Sequence, residues 1–170
     1  MQKLKSVGIH SIAMLTGDNE KTALDIAEKI GIDNVKYDLL PDQKVAAFEE
    51  LMKTSSPKGK VIFTGDGIND APVLARADIG IAMGSLGSDA AIESADVVIM
   101  TDEPSKIAEA IKIAKFTNKV VWQNIYFSLG IKGLVLILGA FGMANMWEAV
   151  FADVGVAVIA VLNATRISKI

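Results

Sequence analysis

Hydrophobic and polar positions follow two different rhythms along this chain. In the first hundred or so residues short apolar runs alternate with longer stretches in which apolar positions recur every three or four residues. The runs Ile12–Leu15, Val61–Phe63, Ile79–Met83 and Val97–Met100 read as buried strands, while Val35–Tyr37 is too short to assign. Between them, Asn19–Ile30 places Ala23, Ile26, Ala27 and Ile30 on one helical face, and Gly31 follows as a stop. Pro41 opens a second helix through Val45, Phe48, Leu51 and Met52. Ala71–Ala77 reads as a short helix, and Gly84–Ser88 as a turn leading into a further helical piece. Strands alternating with helices predict an α/β fold of βαβ units around a parallel sheet.

From Pro104 onward the rhythm changes. No helix breaker occurs between Ser105 and Gly130, so a single helix is predicted to run from the charged part into Ile125–Met143, an almost uncharged span. Ala144–Met146 then leaves room only for a tight reversal before a second span, Trp147–Leu162. The first span corresponds to about 28 Å at ~1.5 Å per residue, close to the ~30 Å hydrocarbon core, which predicts a transmembrane hairpin. A buried helical hairpin within a larger protein is the membrane-free alternative.

Composition sharpens that division. Of 170 residues 51% are hydrophobic, and the mean hydropathy of +0.39 is too high for an ordinary soluble domain, yet most charges precede residue 120. Net charge −3 and one histidine give no basic stripe, so a nucleic-acid partner is not expected. The absence of cysteine excludes disulfides and thiolate metal sites within the chain. Met1–Ser6 is polar and is not followed by the apolar core of a signal peptide. Lys112, Lys115 and Lys119 flank one end of the hairpin and Arg166 and Lys169 the other, which predicts that both ends face the cytoplasm.

Candidate chemistry concentrates in four places. Val61–Pro72, VIFTGDGINDAP, is an apolar run opening into a loop in which Gly65 and Gly67 keep the backbone clear of a ligand. Asp66 and Asp70 would leave this loop as hard oxygen ligands where α/β sheets bind ligands, beyond strand carboxyl ends. The bland alternative is an acidic turn capping a helix. A second Thr-Gly-Asp, Thr16-Gly17-Asp18, follows the strand Ile12–Leu15, and Thr16 is a hydroxyl donor for a phosphoryl oxygen. Lys44 lies near the start of its helix, where the dipole disfavours a cation unless an anion is near. Lys132 and Asp153 are charges within the apolar spans, each costing roughly 2.5–3.5 kcal/mol unless compensated. Counted from Asn145 they would lie about 20 Å and 12 Å deep, an offset that the lysine stem must bridge. Gly130, Gly133 and Gly155 are expected to let the two helices approach closely. Asp78 and Asp96 read as turn or capping residues, and Met14, Met52, Met83 and Met100 as core.

LTGDN, LPDQK and TGDGINDAP, in that order and spacing, resemble the phosphorylation domain of P-type ATPases, cation pumps of the haloacid dehalogenase superfamily. The resemblance covers essentially the whole chain. It implies a Rossmann-like haloacid-dehalogenase half-domain with a parallel sheet, followed by a two-helix transmembrane hairpin. The expected divisions are residues 1–104 for the second half of the phosphorylation domain, 105–124 for a connecting helix, and 125–170 for the last two membrane helices with a short cytoplasmic tail. By the same resemblance Thr16, Gly17, Asp18, Lys44 and Asn69 are catalytic, Asp66 is the principal Mg²⁺ ligand supported by Asp70, and Thr16 and Lys44 contact the phosphoryl group. Mg²⁺ and ATP are the cofactors of the complete pump.

Lys132 with Asp153-Val-Gly155 resembles the zinc, cadmium and lead exporters, making Asp153 a ligand to the transported cation and Lys132 its charge partner. The family forms an aspartyl-phosphate on an Asp-Lys-Thr-Gly-Thr motif, which this sequence does not contain. The resemblance therefore implies the C-terminal part of a multi-pass membrane pump, from a truncated or split gene or as a partial sequence, whose partners are a divalent metal, membrane lipid and the N-terminal remainder. The competing reading is a catalytically inactive, membrane-anchored module that completes or regulates a partner pump. A soluble phosphatase of the same superfamily fails on the apolar hairpin.

Overall fold

The computed structural model describes residues 1–32, 34–56, 59–65, 68–84, 89–101, 103–143 and 145–169. Asp66, Gly67, most of the turn Gly84–Ser88 and Ala144 lie outside the described residues. The chain forms two compact units, Met1–Ala108 and Glu109–Ile170.

In the first unit a short helix α1 (Gln2–Ser6) precedes strand β1 (Ala13–Leu15), helix α2 (Glu20–Ile30), strand β2 (Asn34–Lys36) and helix α3 (Pro41–Thr54). Strand β3 (Ile62–Gly65) follows, then a single 3-10 turn (Ile68–Asp70) running into α4 (Ala71–Leu74), β4 (Ile79–Met83), α5 (Asp89–Ser94) and β5 (Val97–Ile99). All pairing is parallel, as the alternation predicts, but it is divided between two sheets. β1 pairs with β2 from Ala13↔Asn34 to Leu15↔Lys36, and β3, β4 and β5 form a separate sheet with β4 central.

The packing makes β4 the most buried strand. Ile81, Ala82 and Met83 are buried, and Leu74, Ala82 and Ala91 form a cluster against which Phe63, Ala95 and Val98 pack. A Cβ at Gly80 would lie 2.6 Å from the Leu74 carbonyl oxygen, so α4 rests directly on the β4 backbone. Phe48 from α3 meets Phe63 edge-on at 5.4 Å between ring centroids. Burying an aliphatic side chain such as Leu74 contributes about 1.5–3 kcal/mol.

The expected apolar face of α2 is only half used. Ala23 and Ala27 are buried, whereas Ile26 and Ile30 are exposed, because a sheet of two strands covers a strip narrower than a full amphipathic face. Met83 is core as expected, but Met100 stands beyond the end of β5 and is exposed.

Asp78 and Asp96 do more than cap turns. Asp78 accepts from the Val61 N–H at 2.9 Å and from Lys60 Nζ at 2.8 Å, joining the approach to β4 to the approach to β3. Asp96 accepts from the Gly80 N–H at 2.8 Å while its own N–H donates to the Gly80 carbonyl, joining β5 to β4. Each aspartate thus staples the amino end of its strand to the neighbouring strand.

The second unit is a helical pair. α6 runs unbroken from Ser105 to Ala140, through Gly130, Gly133 and Gly139, and α7 spans Met146–Ala164 before a closing 3-10 turn, Thr165–Lys169. Both are long and apolar enough to cross a membrane. α6 stops earlier than the apolar pattern suggests. Gly142 adopts φ +69°, its N–H donates to the Gly139 carbonyl and the Met143 N–H to the Leu138 carbonyl, a left-handed glycine stop. Asn145 then caps α7, accepting from the Glu148 N–H at 3.0 Å while Glu148 Oε2 accepts from the Asn145 N–H at 2.9 Å.

The hydrogen bonds from Lys60 and the Val61 N–H hold the Asp78 carboxyl below the usual carboxylate range. Its contribution is therefore complete above the unfolded carboxylate pKa of about 3.9 and is lost as pH falls through the lower folded value. Asp78→Asn is expected to lower the melting temperature of the Met1–Ala108 unit at pH 7, with the gap to the parent narrowing below about pH 4. A gap that stays constant from pH 7 to pH 3 would show that the staple acts through shape and not through charge.

Candidate functional site

Thr16-Gly17-Asp18 leaves the carboxyl end of β1, and Thr64 and Gly65 close β3. At the first, Thr16 continues the β1 ladder by donating its N–H to the Lys36 carbonyl at 3.0 Å. The loop then closes on itself. Thr16 Oγ1 donates to Asp18 Oδ2 at 3.0 Å and accepts from the Asp18 N–H at 3.1 Å. Asn19 caps α2 by accepting from the Thr22 N–H, so the chain passes from strand to helix within four residues. A Cβ at Gly17 would stand 3.1 Å from the Leu39 carbonyl oxygen, which keeps this position small.

That loop is strapped to the segment preceding α3. The Asp38 N–H donates to the Asp18 carbonyl at 2.9 Å and the Leu39 N–H to the Thr16 carbonyl at 3.1 Å, with Asp38 in the left-handed region at φ 53°. Tyr37 Oη donates to Glu20 Oε1 at 2.9 Å, and that hydrogen bond, with the carboxylate's charge, raises the phenol above its ordinary pKa. On the other side of the strap Lys36 pairs with Glu50, whose carboxyl is held low by that lysine.

From the strap the chain enters α3 at Pro41, and the Gln43 side chain accepts from the Leu40 N–H at 3.0 Å. Lys44 sits one turn in. Its Nζ lies 2.7 Å from Asp70 Oδ1, with the two side chains only 18% and 9% exposed. Asp70 is thus the anion that a lysine near a helix N-terminus calls for. The pair is sheltered, so removing either member would leave the other charge without compensation at a cost of about 3–5 kcal/mol.

Gly65 has a role that the sequence did not disclose. It is the last residue of β3, paired with Ala82, rather than part of a turn, and a Cβ there would come within 2.6 Å of Asp70 Cβ and Oδ2. Gly65 therefore makes room for the Asp70 side chain, not for a ligand. Asn69 is exposed beside it. Hydrogen bonds group the candidates as Thr16 with Asp18 and as Lys44 with Asp70, and among the described residues none joins the two groups. Asp66 lies outside the described residues.

Hard carboxylate oxygens at a strand's carboxyl end suit Mg²⁺, and Asp70 retains one oxygen not engaged by Lys44. Among the described residues no cluster of three His, Cys, Asp or Glu side chains forms a closed metal site, so a cation here needs oxygens from elsewhere.

In the helical unit Lys132 Nζ lies 2.9 Å from Asp153 Oδ1. The offset counted along the sequence disappears because α6 ends at Ala140 and the reversal takes up the residues to Asn145, which puts the two charges at about the same distance from it. The glycines do not serve as expected. A Cβ at Gly130, Gly133 or Gly155 meets nothing within 4 Å, so none of them is where the helices touch.

Comparison with known proteins accounts for this arrangement. Residues 1–78 match the haloacid dehalogenase-like hydrolase family. The chain is 61% identical over 167 residues to a cadmium, zinc and cobalt-transporting ATPase of Bacillus subtilis, covering 98% of this chain and 24% of that protein. It is 59% identical over 169 residues to a zinc-transporting ATPase of Synechocystis, covering 99% of this chain and 23% of the relative. Among solved structures, a zinc-transporting PIB-type ATPase in an E2.Pi state superposes with a TM-score of 0.86 at 37% identity, over 98% of this chain and 26% of that one. A 3-deoxy-D-manno-octulosonate 8-phosphate phosphatase from Moraxella catarrhalis shares the fold over 65% of this chain, with a TM-score of 0.53 at 22% identity. The chain spans about a quarter of the length of the curated relatives it matches. With its two Thr-Gly-Asp loops, parallel sheets and paired apolar helices, the chain belongs to the heavy-metal P-type ATPase family of the haloacid dehalogenase superfamily and corresponds to the C-terminal part of such a protein.

Proposed function

We propose that the chain supplies the C-terminal part of an ATP-driven exporter of divalent heavy-metal cations, Zn²⁺, Cd²⁺ or Pb²⁺. It contributes the phosphate- and Mg²⁺-binding loops of the phosphorylation domain and one carboxylate of the transmembrane cation site. The observation carrying this reading is that the similarity to metal-transporting ATPases spans both the α/β unit and both apolar helices. A free-standing phosphatase has no use for the second. The domain assignment follows: residues 1–104 for the phosphorylation half-domain, 105–124 for a connecting helix and 125–170 for the membrane hairpin and cytoplasmic tail.

Within such a pump the chain's own residues would act as follows. β1 and β3 each ladder on one side only among the described residues, so a strand carrying the phosphorylated aspartate can be laid beside the loops that follow them. Lys44, anchored by Asp70, places a fixed positive charge where phosphoryl oxygens develop negative charge. Thr16 Oγ1, now donating to Asp18, can turn the same proton toward a phosphoryl oxygen, with the Gly17 N–H and Asn69 orienting it. Mg²⁺, when bound by Asp66 with Asp70, would neutralise the phosphate charge. Lys132 pairs with Asp153 between transport events, and Asp153 offers a hard oxygen to the cation alongside softer ligands from other helices.

Three outcomes test this. The 170-residue chain alone, incubated with γ-labelled ATP and Mg²⁺, is expected to take up no acid-stable label, since it lacks the nucleophile motif. Hydroxylamine-sensitive label on it would point to a different carboxylate and overturn the assignment. The chain can also be grafted in place of the equivalent part of the Bacillus subtilis relative. In that chimera Lys44→Met, which removes the partner of Asp70, and Gly65→Ala, which displaces Asp70 itself, are each expected to lower phosphoenzyme formation about 10²-fold or more. Normal phosphorylation of Gly65→Ala would detach Asp70 from the chemistry. Asp153→Ala is expected to abolish stoichiometric Zn²⁺ or Cd²⁺ binding by the chimera, while Lys132→Ala retains it. Full binding by both, with lowered thermal stability, would leave the pair as a structural tie only.

A further inference from the structure

The helix pair needs something other than close glycine packing to fix its register, since Gly130, Gly133 and Gly155 meet nothing within 4 Å. The Lys132–Asp153 contact cannot serve alone, because both side chains are more than half exposed within this chain and a lysine stem accommodates several helix positions. At the ends remote from the reversal the two helices are joined by a directed set of hydrogen bonds. Asn124 Nδ2 on α6 donates to the Ala160 carbonyl of α7 at 3.1 Å. Asn163 Nδ2 donates back to Asn124 Oδ1 at 2.9 Å, and an Arg166 guanidinium N–H donates to Asn163 Oδ1 at 2.9 Å. The same guanidinium stands 5.8 Å from the ring centroid of Phe116 on α6. Each amide is used as donor and acceptor, so the relay runs one way, from a cation to a backbone carbonyl.

We propose that Asn124, Asn163 and Arg166 form a polar latch that sets the register of α6 against α7 and thereby holds Asp153 opposite Lys132. They are positioning residues for the cation carboxylate, a role that rests on the function proposed above. Geometry favours it. Asn124 precedes Lys132 by two helical turns and Ala160 follows Asp153 by about the same distance, so latch and ion pair sit about 12 Å apart on both helices. A slip of one turn, about 5.4 Å, would displace Asp153 from its place opposite Lys132 by more than the length of their present 2.9 Å contact. A carboxamide acting on a fixed backbone carbonyl resists such a slip in a way that apolar side chains sliding over one another do not.

The chain has no native cysteine, so introduced pairs report cleanly. Val135→Cys with Ala149→Cys places two thiols around the 260 Å³ cavity that Lys132 and Asp153 also line. With the 170-residue chain in phosphatidylcholine vesicles, cross-linking by a short bis-maleimide is expected to slow several-fold in Asn124→Leu/Asn163→Leu and to be largely retained in Asn124→Gln. Arg166→Gln, outside both helices, gives an intermediate rate and serves if the double variant fails to insert. Unchanged rates in all variants would overturn the latch. In the pump chimera Asn124→Leu is expected to raise the Zn²⁺ concentration for half-maximal phosphorylation about ten-fold with the maximal level unchanged, and Asn124→Gln to restore it. A slowed cross-link with unaltered Zn²⁺ dependence would overturn the positioning of Asp153. A parent chimera that ignores Zn²⁺ would sink the transport reading itself, with the cross-linking rates still deciding whether the latch sets the register.

Discussion

An ammonium and a carboxylate brought together 26 residues apart in sequence, Lys44 and Asp70, are the contact on which the α/β unit turns. Both charges are largely withdrawn from water, so each is tolerable only while the other is present. Much of the local architecture serves that condition. The Asp38 and Leu39 N–H groups moor the start of α3 to the first Thr-Gly-Asp loop, which fixes where Lys44 emerges, and Gly65 leaves the space that Asp70 needs. The pair therefore ties two loops that approach from two separate sheets, with α3 as the lever between them. On the function proposed above, a phosphate arriving there would meet a cation already oriented by folding.

The helical unit solves a related problem under a different constraint. In an apolar setting there is little hydrophobic gain in bringing one helix against another, so the polar contacts carry unusual weight in deciding where they meet. Lys132 with Asp153 and Asn124 with Ala160 and Asn163 are contacts of this kind. Val120 and Val156 supply apolar burial without specifying a register.

Much of this was legible in the residues. The alternation of apolar runs placed β4 to the residue and α2, α3 and α7 to within two, because short strands bounded by glycine, proline and aspartate leave few alternatives. LPDQK singled out Lys44 and the strand-loop pattern singled out Asp70, but not that they bind each other, since contact across 26 residues has no local signature. Gly65 was read as a turn residue because a glycine excluded by a side chain and a glycine required by the backbone look alike in sequence. The splitting of the sheet was hidden for a similar reason: strand neighbours are decided by tertiary contacts. Two signals were present and unread, the Gly142 stop and the Asn145-to-Glu148 capping box, and reading them would have shortened the first span and levelled Lys132 with Asp153.

The staples made by Asp78 and Asp96 give the three-stranded sheet two unlike ends. At the amino ends a carboxylate fastens each strand to its neighbour, so a disturbance there must break charged hydrogen bonds before it spreads. At their carboxyl ends, Gly65, Met83 and Ile99, the strands are held by the backbone ladder. Such a sheet resembles a comb clamped along its spine, with the spacing of its teeth set where they spring.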